Sequence, residues 1–254
     1  MNKESLLNEW LQEERAVSYP RMGVFPISMA GMRKKTICHG ITAKSIHKYL
    51  SPQMKLLDID TGGGEFLLSL HHPACNVSAT EAYPPNVELC REILLPLGID
   101  FREADGLGIL PFDDETFDLV INRHGDFNEK EIRRVLKPGG IFITEQVGAE
   151  NDRELAELLL KEVPPLPFPR QYLNVIRRSF EENGFTTLEA EEAYRPIKFW
   201  DVGALVWFAR IIQWEFPGFS VAGCLPNLYH AQEILEKNGV IEGRIHRFLL
   251  VVQK

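Results

Sequence analysis

Two carboxylates and a run of glycines separate two apolar stretches in LLDIDTGGGEFLLSL, residues 56–70. Asp58 and Asp60 lie at the end of the first apolar stretch. The glycines that follow are Gly62, Gly63 and Gly64. Glycine lets the backbone approach a ligand closely, and the N–H groups that open the next helix have no partner within that helix. The stretch therefore predicts a turn that binds a nucleotide-like group.

This glycine turn does not fit a dinucleotide. A dinucleotide-binding turn reads Gly-x-Gly-x-x-Gly, and here Leu67 occupies the third glycine position after Gly62 and Gly64. Asp58 would also repel a pyrophosphate, whereas it can accept hydrogen bonds from a cationic amino group. The turn therefore favours a ligand without phosphates.

Two further carboxylates follow the next two predicted strands, with Ala82 and Gly106 directly after them. Glu81 comes seventeen residues after Gly64, where a carboxylate can accept hydrogen bonds from both hydroxyls of a ribose. Asp105 can accept from the amino group of an adenine. An adenosine that carries a cationic amino-acid group and no phosphate meets these requirements, and S-adenosylmethionine is such a molecule.

Strands and helices alternate along the part of the chain that carries these residues. The predicted strands cover residues 56–60, 77–80, 99–104, 117–122, 141–145, 186–193 and 247–252. Helices are predicted at 65–70, from Pro84 onward, at 129–136, from a cap at Asn151 to 162, and at 171–183. This alternation is typical of a parallel sheet with helices on both faces, where ligands bind at the carboxyl ends of the strands.

Four motifs in unbroken order reveal a family resemblance: LLDIDTGGGEF, TEAYPPN, LPFDDETFDLVINR and RRVLKPGGIFITEQVG. Over about residues 52–148 the chain resembles the Rossmann-like class I S-adenosylmethionine-dependent methyltransferases. The resemblance implies an α/β fold with a seven-stranded, mostly parallel sheet, helices on both faces and an antiparallel last strand, which RFLLVV matches. The family turn usually reads Asp-x-Gly-x-Gly-x-Gly, and Asp60 replaces its first glycine here.

The resemblance implies one methyltransferase domain over residues 1–254. The Rossmann-like core is expected at 51–193 and 244–254, with an N-terminal helical arm at 1–50. An aromatic-rich insertion at 194–243 precedes the last strand. Leu205, Phe208 and Ile212 recur there at helical spacing, which favours packing between helices. A lid over the substrate is the functional alternative.

Asn122, Arg123 and His124 follow the fourth predicted strand, the place in this fold that faces the transferred methyl group. Asn122 is also a candidate cofactor contact. In methyltransferases that act on amino groups of nucleic acids, this place often reads Asn-Pro-Pro-Tyr, and Arg-His follows the asparagine here. There is also no Pro-Cys nucleophile, which argues against chemistry at pyrimidine C5.

His124 is the candidate general base, because an unperturbed imidazole titrates near neutral pH. The alternative is a histidine that only braces the loop. Arg123 can bind an anionic substrate or pair with a nearby carboxylate such as Asp126. These alternatives stay open at the level of sequence, as does the acceptor atom.

The charge of the chain is uneven. The 254 residues carry a net charge of −8, yet residues 16–57 contain no Asp or Glu and seven basic side chains. These are Arg21, Arg33, Lys34, Lys35, Lys44, Lys48 and Lys55. A solvated basic face is the simple interpretation, and a patch that meets an anionic substrate or RNA is the sharper one. The overall acidity argues against general binding of nucleic acids.

Three hypotheses for function follow. The first is a methyltransferase that acts on a small molecule, the second a methyltransferase for ribosomal or transfer RNA, and the third a non-catalytic protein that binds the cofactor. The N-terminus has no apolar signal segment, and the four cysteines form no Cys-x-x-Cys pair. We therefore expect a cytoplasmic protein with no membrane partner and no metal site. The sequence does not give the oligomeric state.

Overall fold

The computed structural model describes residues 2–16, 32–34 and 38–254. Its strands are β1 (Met32–Lys34), β2 (Leu56–Ile59), β3 (Val77–Glu81), β4 (Asp100–Glu103), β5 (Phe117–Arg123), β6 (Leu136–Val147), β7 (Thr186–Phe199) and β8 (Ile241–Gln253). Its helices are α1 (Lys3–Ala16), α2 (Cys38–Tyr49), α3 (Glu65–Ser69), α4 (Pro84–Ile93), α5 (Glu129–Val135), α6 (Arg153–Leu159), α7 (Leu173–Glu182), α8 (Val202–Ile211) and α9 (Leu225–Asn238).

In the described part of the chain the strands form one sheet in the order β1-β7-β8-β6-β5-β2-β3-β4. The pairs from β6 through β5, β2 and β3 to β4 are parallel, and β8 runs antiparallel to both β6 and β7. The predicted seven-stranded, mostly parallel sheet with an antiparallel last strand is confirmed. The short strand β1 adds an edge that the sequence analysis assigned to a helical arm, and it pairs with β7.

Apolar strands form the centre of this sheet because helices cover both faces. Leu56, Leu119 and Ile121 belong to a buried cluster with residues of α2, α3 and α4. Neighbouring positions such as Leu57 and Val120 belong to a second buried cluster with residues of α5 and α7. Successive side chains of a strand point to opposite faces, so consecutive apolar residues pack alternately against the helices on the two faces of the sheet.

A third buried cluster joins the arm to the insertion. Trp10 of α1 is buried with Leu205 and Phe208 of α8 and with Leu228 of α9. The packing predicted for Leu205, Phe208 and Ile212 is confirmed, since all three are buried. Two other aromatic residues of this region, Trp200 and Trp214, are about half exposed.

Several predicted boundaries are wrong, among them the start of β6, which is Leu136 and not residue 141. Strands β7 and β8 are longer than predicted and remain paired from Tyr194↔His246 to Phe199↔Ile241, past the end of β6 at Val147. The insertion therefore begins and ends in strand, and its helical part is shorter than 194–243.

The helix predicted from Asn151 begins instead at Arg153, with Asp152 as its first flanking residue. Asn151 does not cap this helix, because its Oδ1, the atom that would accept from a helix N–H, accepts from His246 N and Arg247 Nη1 instead. Within the described residues, no helix combines the length and the apolar character needed to cross a bilayer.

Candidate cofactor and acceptor site

The glycine turn lies where the strand order reverses. Strand β2 has β3 on one side and β5 on the other, so chains leaving β2 and β5 diverge at the carboxyl edge. Asp58 lies in β2 beside Ala79 of β3 and Ile121 of β5. Such a crevice is the usual ligand site of an open α/β sheet.

The backbone of the turn requires glycine at two positions. Gly62 and Gly64 have φ angles of 66° and 83°, a left-handed region that residues with a Cβ seldom adopt. A Cβ at Gly64 would also lie 3.0 Å from Leu94 Cδ2. The turn is fixed to the neighbouring strand by a hydrogen bond from Thr61 N to Thr80 O of 3.0 Å.

Glu81 links this turn to the start of α4. Its carboxylate is buried and accepts from Gly62 N at 2.8 Å and from Ala82 N and Tyr83 N at 2.9 Å each. A carboxylate offers about four acceptor positions; the backbone fills three of them, and Asn86 Nδ2 donates to Glu81 Oε2 at 3.4 Å. Glu81 therefore lies where the resemblance places the ribose acceptor, and it also holds the turn in shape. Its contact with ribose stays a prediction.

The two aspartates of the turn have unusual protonation. Asp58 is buried and accepts from Thr61 Oγ1 at 2.7 Å, and burial raises the pKa of its carboxyl to about 7. Burial, together with the negative charges of Glu81, Asp105 and Asp126, raises the pKa of Asp60 to about 7 as well. A cation placed among these carboxyls would favour their ionised forms.

Asp60 takes the place of a family glycine by adopting a glycine-like backbone. Its φ angle is 55°, which aspartate tolerates better than most residues. Its carboxyl lies between Gly106 and Gly125. A Cβ added at Gly106 would lie 3.0 Å from Asp60 Oδ2, and a Cβ added at Gly125 would lie 2.6 Å from the same oxygen. The replacement therefore brings the loops after β2, β4 and β5 into contact.

The loop after β4 carries Asp105 and Gly106. Asp105 is exposed, and its Oδ1 accepts from Leu107 N at 2.8 Å, which is a local turn. Gly106 is buried, and a Cβ there would lie 2.2 Å from Asp126 O. The second carboxyl oxygen of Asp105 is thus the part of this residue that could meet an adenine, a role that stays a prediction.

Asn122 is fully buried and joins three strands. Its Nδ2 donates to Ile59 O at 3.1 Å, and its Oδ1 accepts from Gln146 Nε2 at 2.7 Å. Gln146 Nε2 also donates to Gly125 O at 3.1 Å. These contacts position the loop that follows β5, and the catalytic and cofactor roles of Asn122 stay predictions.

Arg123 pairs with a residue that the sequence analysis did not consider. Its Nε lies 3.3 Å from Glu145 Oε2, and its guanidinium lies 3.9 Å from the ring centre of Phe66. Arg123 thus pairs with a nearby carboxylate, as one of the two alternatives suggested, and this carboxylate is Glu145. The cause is the register of the sheet, since Arg123 and Glu145 are direct partners across β5 and β6.

His124 stands at the start of the loop after β5 with a left-handed backbone, φ 62°. Its backbone N donates to Glu145 O at 2.9 Å, and its Nε2 lies 3.9 Å from Glu145 Oε1. The His124 side chain is about one-third exposed, whereas that of Glu145 is buried. Glu145 also accepts from Thr42 Oγ1 of α2 at 2.5 Å. A partly exposed imidazole thus faces a buried carboxylate that other residues hold in place.

The family comparison agrees with this geometry. The family described as a methyltransferase domain matches residues 57–144, which run from β2 to β6 and include Asp58, Glu81 and His124. Residues 57–144 thus match a methyltransferase domain, and the sheet around them has the class I, Rossmann-like fold. Domains of this class use S-adenosylmethionine in general, and the acceptor-rich edge of β2, β3 and β4 suits that molecule.

Curated relatives match the methyltransferase domain in part. The phthiotriol/phenolphthiotriol dimycocerosates methyltransferase of Mycobacterium tuberculosis is 30% identical over 143 residues, which is 53% of this chain and 52% of the relative. The sterol 4-C-methyltransferase strm-1 of Caenorhabditis elegans is 30% identical over 125 residues, 43% of this chain and 37% of the relative. The chain thus spans about half or less of the length of these relatives.

Solved structures share the fold. A candidate methyltransferase of Bacillus halodurans superposes with a TM-score of 0.59 and 19% identity, covering 85% of this chain and 99% of the other. The YcgJ protein of Bacillus subtilis gives 0.55 and 20%, covering 85% and 97%. The [4+2]-cyclase SpnF gives 0.53 and 18%, covering 98% and 92%.

Some residues of the methyltransferase domain site escaped the sequence analysis. Gly125 was not considered, and Asp126 was considered only as a partner for Arg123; both lie beside Asp60, and the run His-Gly-Asp after β5 was the local signal for a tight turn there. Glu145 and Thr42 gave no such signal, because their contact with the loop depends on strand register and on the docking of α2.

Little of the basic segment lies within the described side chains. Lys44 and Lys55 are exposed, and Lys48 pairs with Glu189. Arg21 and Lys35 lie outside the described residues, and only the backbone of Arg33 and Lys34 is described. One of the three described lysines is therefore neutralised by a partner.

Proposed function

We propose that this chain is an S-adenosylmethionine-dependent methyltransferase that acts on a small molecule. The observation that carries the proposal is the row of carboxylates Asp58, Glu81 and Asp105 along three neighbouring strands or the loops after them, beside the glycine turn. These groups offer hydrogen-bond acceptors and negative charge, which suit hydroxyls, an amino group and a cation, and do not suit a phosphate.

The residues present fit the cofactor. Glu81 would accept from ribose, the second oxygen of Asp105 from adenine, and the Asp58 side of the turn would face the ammonium group. Asp60, Gly63 and Ala82 would complete the walls of this site. When bound, the cofactor would supply a methyl group on a cationic sulfur. Asp60 lies between the loops after β4 and β5, so its carboxyl would balance part of that positive charge.

His124 is the proposed general base. It would accept the proton from the acceptor atom as the methyl group is transferred, and Glu145 would hold the imidazole and stabilise its protonated form. Arg123 balances the buried charge of Glu145 when the imidazole is neutral. A strained backbone at a candidate catalytic residue is a common feature of active sites, and the φ angle of His124 is of this kind.

Two alternatives compete with this proposal. The fold also occurs in a [4+2]-cyclase, so the fold alone leaves room for a cofactor-binding protein with another role. An RNA methyltransferase would need a cationic surface, and the described lysines of the basic segment are few and partly paired. The relatives' names point to a lipid and a sterol as the substrates of those proteins.

The proposal is tested first by cofactor binding. Titration calorimetry should show binding of S-adenosylhomocysteine and none of NAD, and the reverse result would contradict the proposal. Transfer of labelled methyl from S-adenosylmethionine to components of a metabolite extract should then separate an enzyme from a binding protein. Retention on immobilised RNA that is lost steeply with added salt would support the RNA alternative instead.

A further inference from the structure

Asp60 places a carboxyl group where the family's glycine turn has no side chain. Its Oδ2 lies beside Gly106 of the loop after β4 and beside Gly125 of the loop after β5. These two loops also meet each other, because a Cβ at Gly106 would lie 2.2 Å from Asp126 O. Asp60 is half-buried, so the loops shield part of its carboxyl from water and leave part of the residue accessible.

The carboxyl of Asp60 receives no hydrogen bond from the residues that the structure describes. Two other carboxyls of the site differ in this respect. Asp58 accepts from Thr61 Oγ1, and Glu81 accepts from three backbone N–H groups. Shielding a carboxylate from water without giving it a partner costs stability, so the contacts of Asp60 do not explain why a charged group stands there.

The charges that act most strongly on Asp60 are all negative. They belong to Glu81, Asp105, Asp126 and Asp58, and together with burial they raise the pKa of the Asp60 carboxyl to about 7. Like charges disfavour the ionised form of a carboxyl, and a neighbouring cation favours it. A cation next to Asp60 would therefore offset the repulsion that this carboxyl meets from the other four.

The proposed function puts the sulfur of the cofactor next to this carboxyl. The adenosyl group would face Glu81 and Asp105, and the methyl group would face the loop of His124. Sulfur is bonded to both groups, so it would lie between the loops after β4 and β5. The carboxyl of Asp60 stands between the same two loops.

The two forms of the cofactor differ at this sulfur. S-adenosylmethionine carries a positive sulfur, whereas S-adenosylhomocysteine lacks the methyl group and its sulfur is neutral. The rest of the molecule is the same, so hydrogen bonds to Glu81 and Asp105 do not distinguish the two forms. An ionised carboxyl beside the sulfur does, because opposite charges that are shielded from water attract each other strongly.

We infer that Asp60 is a specificity-determining residue, which makes the site bind the charged methyl donor more tightly than the neutral product. This inference rests on the proposed function. A glycine at position 60, the residue that the family's turn usually has, would bring no charge to the sulfur. The preference would also favour the exchange of product for a new methyl donor, because the product leaves the charge of Asp60 unbalanced.

The test compares the affinities of S-adenosylmethionine and S-adenosylhomocysteine by titration calorimetry at pH 8, without a methyl acceptor. With a pKa of about 7, the Asp60 carboxyl is mostly ionised at this pH. We expect the unmodified protein to bind S-adenosylmethionine at least about tenfold more tightly than S-adenosylhomocysteine.

Asp60→Asn should reduce this ratio of affinities by about tenfold, because the amide keeps the size of the side chain and removes its charge. Asparagine also tolerates the left-handed φ angle of 55° at this position. The matched control is Asp113→Asn, which removes an exposed carboxylate from the loop after β4. It should change the ratio by less than about twofold, because water and salt screen an exposed charge.

Equal affinity for the two ligands, or tighter binding of S-adenosylhomocysteine, would overturn the inference. So would a preference for S-adenosylmethionine that is unchanged in a folded Asp60→Asn variant. An equal loss of affinity for both ligands in that variant would also overturn it, since Asp60 would then only brace the loops. If Asp60→Asn does not fold, Asp60→Gly, with the residue usual in the family, takes its place.

The same titrations separate this inference from the proposed function. If the unmodified protein binds neither ligand, the result counts against the proposed function. If it binds both ligands without a preference, the result counts against the role of Asp60 alone. This comparison on the unmodified protein does not depend on the folding of any variant.

Discussion

The carboxyl group of Asp60 occupies the space that a side chain at position 125 would need. A Cβ built on Gly125 would lie 2.6 Å from both Cβ and Oδ2 of Asp60. Asp60 is the residue that departs from the family's glycine turn, and Gly125 follows the proposed base. The aspartate that departs from the family's turn and the glycine that follows the proposed base are therefore in contact with each other.

Gly125→Ala should destabilise the protein by about 1 to 3 kcal/mol, because a methyl group has to displace Asp60 and the loop of His124. Chemical denaturation measures this change, and calorimetry with S-adenosylhomocysteine should show weaker binding. The matched control is Gly108→Ala in the loop after β4, where the nearest atom, Asp105 O, is 3.4 Å from an added Cβ.

A compensating change sharpens this prediction. Asp60→Gly removes the carboxyl that collides with the new methyl group, so it should recover much of the stability that Gly125→Ala loses. The double variant should therefore be more stable than the sum of the two single changes predicts. Simple additivity would show that the two loops do not share this contact.

Stability without cofactor should fall as the pH rises from about 4 to about 7. The carboxyls of Asp58 and Asp60 have an ordinary pKa of 3.8, and in the folded protein the pKa of each is about 7, so in this range the folded protein binds more protons than the unfolded chain. Folding is then favoured at low pH, and the advantage is lost as the pH approaches 7. Urea denaturation at half-unit pH intervals measures this slope.

Asp60→Asn is the control for the pH effect. The amide does not titrate, so the slope between pH 4 and 7 should become smaller while the fold is retained. Carboxylates with a lowered pKa, such as Asp118 and Glu131, act in the opposite direction and at lower pH. A slope that is unchanged in Asp60→Asn would remove this residue from the linkage.

Glu81→Ala should weaken S-adenosylhomocysteine binding by about 2 to 4 kcal/mol, because hydrogen bonds to a charged acceptor are lost. The melting temperature should fall too, since the carboxylate also holds Gly62 N, Ala82 N and Tyr83 N. Glu81→Gln should be milder, because the amide oxygen still accepts. A cofactor affinity unchanged within error in the alanine variant would exclude Glu81 from the site.

The sequence predicted the parts of the site that follow from local order along the chain. Asp58, Glu81 and Asp105 each end or follow a strand, and the glycine turn is evident from its composition. Parallel strands bring such ends together whatever the rest of the chain does. This is why the sheet, the turn and the carboxylate row could be predicted from the order of residues alone.

The parts that could not be predicted depend on contacts across the sheet. Glu145 lies near the carboxyl end of β6, and its contact with Arg123 and His124 requires the exact pairing of β5 with β6. His246 lies just before the predicted last strand, 247–252, and in the structure it belongs to β8. Its burial follows from the extension of β7 and β8 beyond β6, which no local pattern indicates.

The last prediction concerns His124 as the base. Its backbone is left-handed, so His124→Asn is a better variant than alanine, because asparagine tolerates this conformation. The variant should lower kcat by about 10²-fold or more once an acceptor is known, with cofactor affinity near normal. Glu145→Gln should lower kcat less, because the imidazole remains but loses the charge that stabilises its protonated form.

His71 provides the matched control for the backbone of His124. It is also a histidine with a left-handed φ angle, 52°, and it is exposed and outside the proposed site. His71→Asn should leave kcat unchanged, whatever small effect it has on the melting temperature. If His124→Asn loses rate only in proportion to lost stability or cofactor binding, His124 braces the loop and does not act as a base. A pH-dependent rate in the unmodified protein that becomes flat in His124→Asn would instead assign the proton transfer to this imidazole.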